Sequence, residues 1–204
     1  WEKVYTKIFL WSSLITPLFL GIIAGSTVAG SIDRSGTDFV STYIFSWFNL
    51  FCIAVGVFTV TICAYLAAIY VIGETREQQE INYLTRKAKH TIIAVVLAGA
   101  LVFITAVIEG IPLMQWIFSG TIGQVAILLA SLSLVWLFFS FNKNKPNRLR
   151  VLAAFQIVMI LVAVTYQHYP NIVLFKDGGY LSLTEHSGSE KTMKQPHKFH
   201  VGAL

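Results

Sequence analysis

The chain has 204 residues, 55% of them hydrophobic and only 12% charged, and its mean hydropathy is +0.67. A water-soluble domain of this length needs more polar surface, so the composition excludes an ordinary soluble enzyme or binding module. The net charge of +5 does not indicate nucleic acid, because the basic residues stand between apolar stretches and not on one polar face.

No Asp, Glu, Lys, Arg or His occurs within 8–32, 39–73, 91–108, 110–142 or 151–167. A helix crossing ~30 Å of hydrocarbon needs ~20 mostly apolar residues. Five such helices fit, predicting an all-α polytopic membrane protein. One transmembrane domain is expected over 1–186, with helices at about 8–31, 49–72, 91–108, 119–140 and 149–167, and a polar tail over 187–204.

The first helix contains Pro17, which removes one internal hydrogen bond and predicts a kink. A polar link over 33–38 follows. Segment 39–48 is rich in aromatics and hydroxyls and reads as interfacial, leading into the second helix. The connection ETREQQEINYLTRKAKH over 74–90 is composed of helix formers, so it reads as a helical extension. Its Ile81 and Leu84 share one face, suited to the membrane or a partner. Beyond the third helix, 109–118 reads as a short loop with Pro112 and Trp116. The basic link FNKNKPNRLR, with Pro146 as breaker, separates the fourth and fifth helices. Pro170 stops the fifth helix, and the chain then turns polar and glycine-rich. Residue 1 is Trp and no signal-peptide pattern is present, which suggests a fragment or trimmed chain.

Basic residues set the orientation. One side carries Lys3, Lys7, Arg76, Arg86, Lys87, Lys89, Lys143, Lys145, Arg148 and Arg150, against Arg34 alone in the short connections of the other: ten against one. The first side is expected to be cytoplasmic, with the tail outside. The tail's Lys176, Lys191, Lys194 and Lys198 run against the rule, although long tails count for less. Trp47, Trp116, Tyr166 and Tyr169 suit the outer interface, and Trp11 and Tyr70 the inner one.

Gly21, Gly25 and Ala29 form a small-residue stripe at four-residue spacing, suited to a close helix contact within the chain or with another subunit. His90, His168 and Met159 are the plausible haem ligands near the spans, but both histidines fit interfacial positions better. His186, His197 and His200 are too loosely spaced for a metal site. Glu109 ends the third helix, where it either faces water, the simpler reading, or exchanges protons. Segment 112–118 anchors at the interface or touches a lipid-like ligand, anchoring being simpler. Cys52 and Cys63, roughly 16 Å apart on one helix, cannot form an intrachain disulfide and read as packing residues. No catalytic or metal-binding residue is assigned, and no cofactor contact is identified. Pumps and proton-coupled transporters commonly place ionisable groups within the membrane, and the spans have none at depth.

The runs WSSLITPLFLGIIAGSTVAG and FSWFNLFCIAVGVFTVTICAYLAAIYVIGET resemble subunit II of the cytochrome bd-type quinol oxidases. Pro17, Gly21, Gly25, Gly30, Trp47, Asn49, Phe51, Gly56, Ala64, Tyr70 and Glu74 carry the resemblance. Downstream, HYPNIVLFKDGGYLSLTE resembles the family's extracytoplasmic segment before its last helix. The likeness runs from Trp1 to about Lys194, after which QPHKFHVGAL departs from it. The resemblance implies that family members have about three further leading helices and a final one, and that the acidic residues used for proton delivery belong to that leading part. The resemblance implies a multipass subunit of the bacterial cytoplasmic membrane. Its complex couples quinol oxidation to reduction of dioxygen to water. The haems of b and d type belong to subunit I, the partner that this chain scaffolds, surrounded by membrane lipids. A structural quinone or lipid on this chain is also implied.

The alternative is a stand-alone multipass transporter or channel, with Ser12, Ser13, Thr16, Thr59, Thr61, Ser131 and Ser133 as its only polar path. A weaker third reading is an assembly factor.

Overall fold

The computed structural model describes residues 1–32, 39–40, 44–141, 146–176 and 178–183. The link at 33–38, residues 142–145 of the basic link and the tail over 187–204 lie outside these residues, as do His186, His197 and His200. Among the described residues the chain forms α1 (Glu2–Ala29), α2 (Leu50–Glu74), α3 (Gln78–Ile108), α4 (Leu113–Phe118), α5 (Thr121–Ser140) and α6 (Pro146–Thr165). Two short strands follow, β1 (Asn171–Leu174) and β2 (Tyr180–Ser182). All the helices except α4 are long and apolar enough to cross a membrane.

Helix α1 runs uninterrupted through the buried Pro17 and ends at Gly30, whose φ of 65° is the left-handed conformation that closes helices. Asn49 caps α2, its side-chain oxygen accepting from the Cys52 N–H at 2.7 Å. Helix α3 has 31 residues, about 46 Å of helix, so its first turns project beyond the hydrocarbon. The projection is the expected helical extension. Its Ile81 and Leu84, both partly buried, pack on this chain's own core around Tyr65, Ala88 and Leu149.

Segment 109–118, expected to be a loop, contains α4. Leu113 and Ile117 are buried there and hold the short helix against the core formed by Phe51, Cys52, Val102 and Ala106. Gly123 makes this possible, because any side chain at that position would strike the Ile117 carbonyl. The polar, glycine-rich stretch after α6 contains an antiparallel hairpin of β1 and β2, closed by Gly178 at φ 78°. The Lys176 N–H donates to the Ile32 carbonyl at 3.0 Å, tying the hairpin to the exit of α1.

Helix α2 is the centre of the arrangement. It packs on α1 and α3 along most of its length and on α6 along part of it, while α5 packs chiefly on α6. Two cores lie along it. One gathers Tyr65, Ile69, Ile72, Ala88, Ile92, Leu137 and Ala153 at the end where α3 and α6 begin. The other gathers Ile22, Phe51, Cys52, Ala54, Val102 and Leu113 toward the opposite end. Only 22% to 33% of the most apolar stretch of each span is buried, so most of the spanning surface faces outward.

Candidate functional site

The polar groups that join these helices are arranged along α2. At its start, the Leu50 N–H donates to a Glu109 carboxylate oxygen at 2.7 Å. This N–H belongs to the first helical turn, which has no partner within the helix, and the partial positive charge there favours a carboxylate. Glu109 is therefore a cap reaching across from the end of α3, and its carboxylate is held rather than simply turned to water as the preferred sequence reading had it.

Midway, the Tyr65 hydroxyl donates to the Gln156 side-chain oxygen of α6 at 2.9 Å, with both residues buried. A buried polar group without a partner is costly, so each residue requires the other. Reading the sequence for charges and Ser/Thr hydroxyls passed over this neutral pair, whose members lie 91 residues apart. The signal available was a lone Gln inside an otherwise apolar helix.

At the far end of α2, Arg150 of α6 meets Glu74 at 2.6 Å and donates to the Tyr70 carbonyl at 2.9 Å. Its guanidinium also lies 5.3 Å from the Tyr70 ring centroid. A cation is favourable against the last carbonyls of a helix. Gly73 leaves the space, since a methyl group there would overlap the guanidinium. Arg150, counted in the sequence only as an orientation signal, thus clamps α6 to α2.

The small-residue stripe packs within the chain. A side chain at Gly21 would overlap Thr59 and the Gly56 backbone, and one at Gly56 would lie 2.8 Å from the Leu18 carbonyl oxygen. A methyl at Gly25 would lie only 3.2 Å from the Cys52 Cα, a tight contact, and Ala29 packs on the same core. A second seam, not singled out in the sequence, lies on α5, where Gly123, Ala126, Ala130, Ser133 and Ser140 are buried. Alanine and serine scattered through an apolar helix give little sign of it.

The candidate haem ligands do not converge. His90 is exposed on the projecting part of α3, its Nδ1 2.7 Å from the Arg86 carbonyl. His168 follows α6 at the opposite end, its Nδ1 3.0 Å from the Val164 carbonyl and its ring 4.5 Å from that of Trp116, centroid to centroid. Met159 lines an apolar groove of about 230 Å³ with Thr121, Val125 and Leu129 of α5. These positions do not fit one haem between them. Among the described residues no three His, Cys, Asp or Glu side chains come together as a metal site. Cys52 is buried and Cys63 exposed, and both are free thiols.

The hydroxyls of Ser12, Ser13, Thr59, Thr61, Ser131 and Ser133 each donate to a carbonyl of their own helix, at 2.8 to 3.0 Å. Such bonds satisfy the hydroxyl locally, as in many membrane helices. They give the channel reading no support.

The fold and these contacts define a multipass helical membrane protein in which Tyr65–Gln156, Arg150–Glu74 and Glu109 join the helices. The sequence model for cytochrome bd terminal oxidase subunit II matches residues 1–197, and the chain belongs to that family. It is accordingly a subunit of a bacterial membrane oxidoreductase, a terminal oxidase whose complex contains haem. No curated protein matches the chain.

Proposed function

We propose that this chain is the non-haem scaffold of a complex that oxidises quinol and reduces dioxygen to water, the haems being held by a partner subunit I. The single observation carrying this reading is the family match over 1–197. The geometry is compatible with it: the buried Tyr65–Gln156 pair and the Arg150–Glu74 ion pair both join α2 to α6 within the chain. What this chain supplies is shape, a set of close-packed helices with a large apolar outer surface for lipid and partner. Its basic end, with Lys3, Lys7, Arg86, Lys87, Lys89, Arg148 and Arg150, is the cytoplasmic one, and the hairpin is external.

The test is purification through an affinity tag on this chain, from membranes that express the whole oxidase. A haem-bearing partner is expected to co-purify and to consume oxygen with added quinol, while the chain expressed alone gives no haem absorption. A haem spectrum from the chain alone would overturn the assignment.

A further inference from the structure

Tyr83, Arg86, Lys87 and His90 occupy positions i, i+3, i+4 and i+7 of α3, one face of the helix, and line a cavity of about 350 Å³. The face sits just outside the charge-free run 91–108. At 1.5 Å per residue, Arg86 lies about 7 Å beyond Thr91. The headgroup layer on each side of a bilayer is about 5–7 Å thick, so the cavity stands at headgroup depth.

Two of the cations at this end have partners on other helices. Lys89 lies 5.5 Å from the Phe138 ring of α5, and Arg150 is paired with Glu74. Arg86 and Lys87 form no ion pair among the described residues. Lys87 lies 5.5 Å from the Tyr83 ring centroid. The Arg86 carbonyl accepts from His90 Nδ1, which leaves Nε2 as that ring's remaining polar atom. Among the described residues no carboxylate lines the cavity.

From this juxtaposition we infer that the Tyr83–His90 face of α3 is a docking site for the phosphate of an anionic phospholipid. The phosphodiester meets Arg86 and Lys87, and the glycerol and acyl chains continue along the apolar turns of α3. Charge complementarity at the correct depth selects an anionic lipid over a zwitterionic one. This site does not depend on the redox reading of the protein.

Native mass spectrometry of the detergent-purified protein, together with whatever co-purifies, tests it by titration with phosphatidylglycerol, phosphatidylcholine or inorganic phosphate. Phosphatidylglycerol is expected to bind, and Arg86→Gln/Lys87→Gln to weaken it about 30-fold, each basic residue near an anionic headgroup contributing about fivefold. Arg86→Lys/Lys87→Arg keeps both charges and is expected to retain binding, which separates lost charge from lost folding. Lys3→Gln/Lys7→Gln removes the same charge from α1 and is expected to leave affinity unchanged. The proposal is overturned if the α3 charge-removal variant binds as tightly as the parent, or if the α1 variant weakens binding equally. It is also overturned if phosphatidylcholine binds as tightly, or if inorganic phosphate displaces the lipid at comparable concentration, which would mark a soluble-anion site.

Discussion

Two residues with no formal charge, Tyr65 and Gln156, make the most deeply buried polar contact between spanning helices described here. Replacing one alone strands the other in an apolar interior, whereas replacing both removes the demand. A double-mutant cycle of Tyr65→Phe and Gln156→Leu, read from unfolding in mixed micelles, is expected to return a coupling of about 0.6–1.7 kcal/mol. Additive single effects would show that the bond contributes nothing. Much at this scale was hidden in the sequence because partners are remote. Glu109 was legible as a helix end, but the N–H it caps lies 59 positions away. Nothing in the local pattern around Arg150 points to Tyr70 or Glu74, 80 and 76 residues distant.

Between elements, shape decides. Helices α1 and α2 approach closely because Gly21 and Gly56 face each other, and packing of this kind holds helices together where lipid removes the hydrophobic drive. Gly56→Leu is expected to cost about 1–3 kcal/mol by overpacking. The neighbouring Val57→Leu, on an exposed face, is expected to stay within about 0.5 kcal/mol. Unfolding midpoints of the two variants check the contrast, and equal effects would remove the glycine contact as its cause. The glycine stripe was visible in the sequence, but the helix it meets was not. Four-residue spacing reports that a face is smooth, and only the fold says what lies against it. The short α4 and the β1–β2 hairpin escaped for another reason. Both are brief backbone arrangements fixed by tertiary contacts, from Gly123 under Ile117 and from Ile32 beside the hairpin, rather than by local periodicity.

For the whole molecule, the five spans were the most legible feature, since hydrocarbon imposes a minimum apolar length and excludes unpaired backbone. Under the proposed orientation, Gln79 and Tyr180, both exposed, lie on opposite sides of the membrane. A membrane-impermeant maleimide applied to intact cells is expected to label Tyr180→Cys and spare Gln79→Cys, with both labelled after lysis. The native Cys52 and Cys63 lie within α2, away from a charged reagent. Labelling of Gln79→Cys in intact cells would invert the topology.

The position of Gln156 also bears on biosynthesis. A ribosome delivers α2 to the bilayer well before α6, so the Tyr65 hydroxyl enters lipid with its eventual acceptor still untranslated. The face of α2 that receives Gln156 stays uncovered until α6 is inserted. Until then the Tyr65 hydroxyl lacks the acceptor it has in the folded chain.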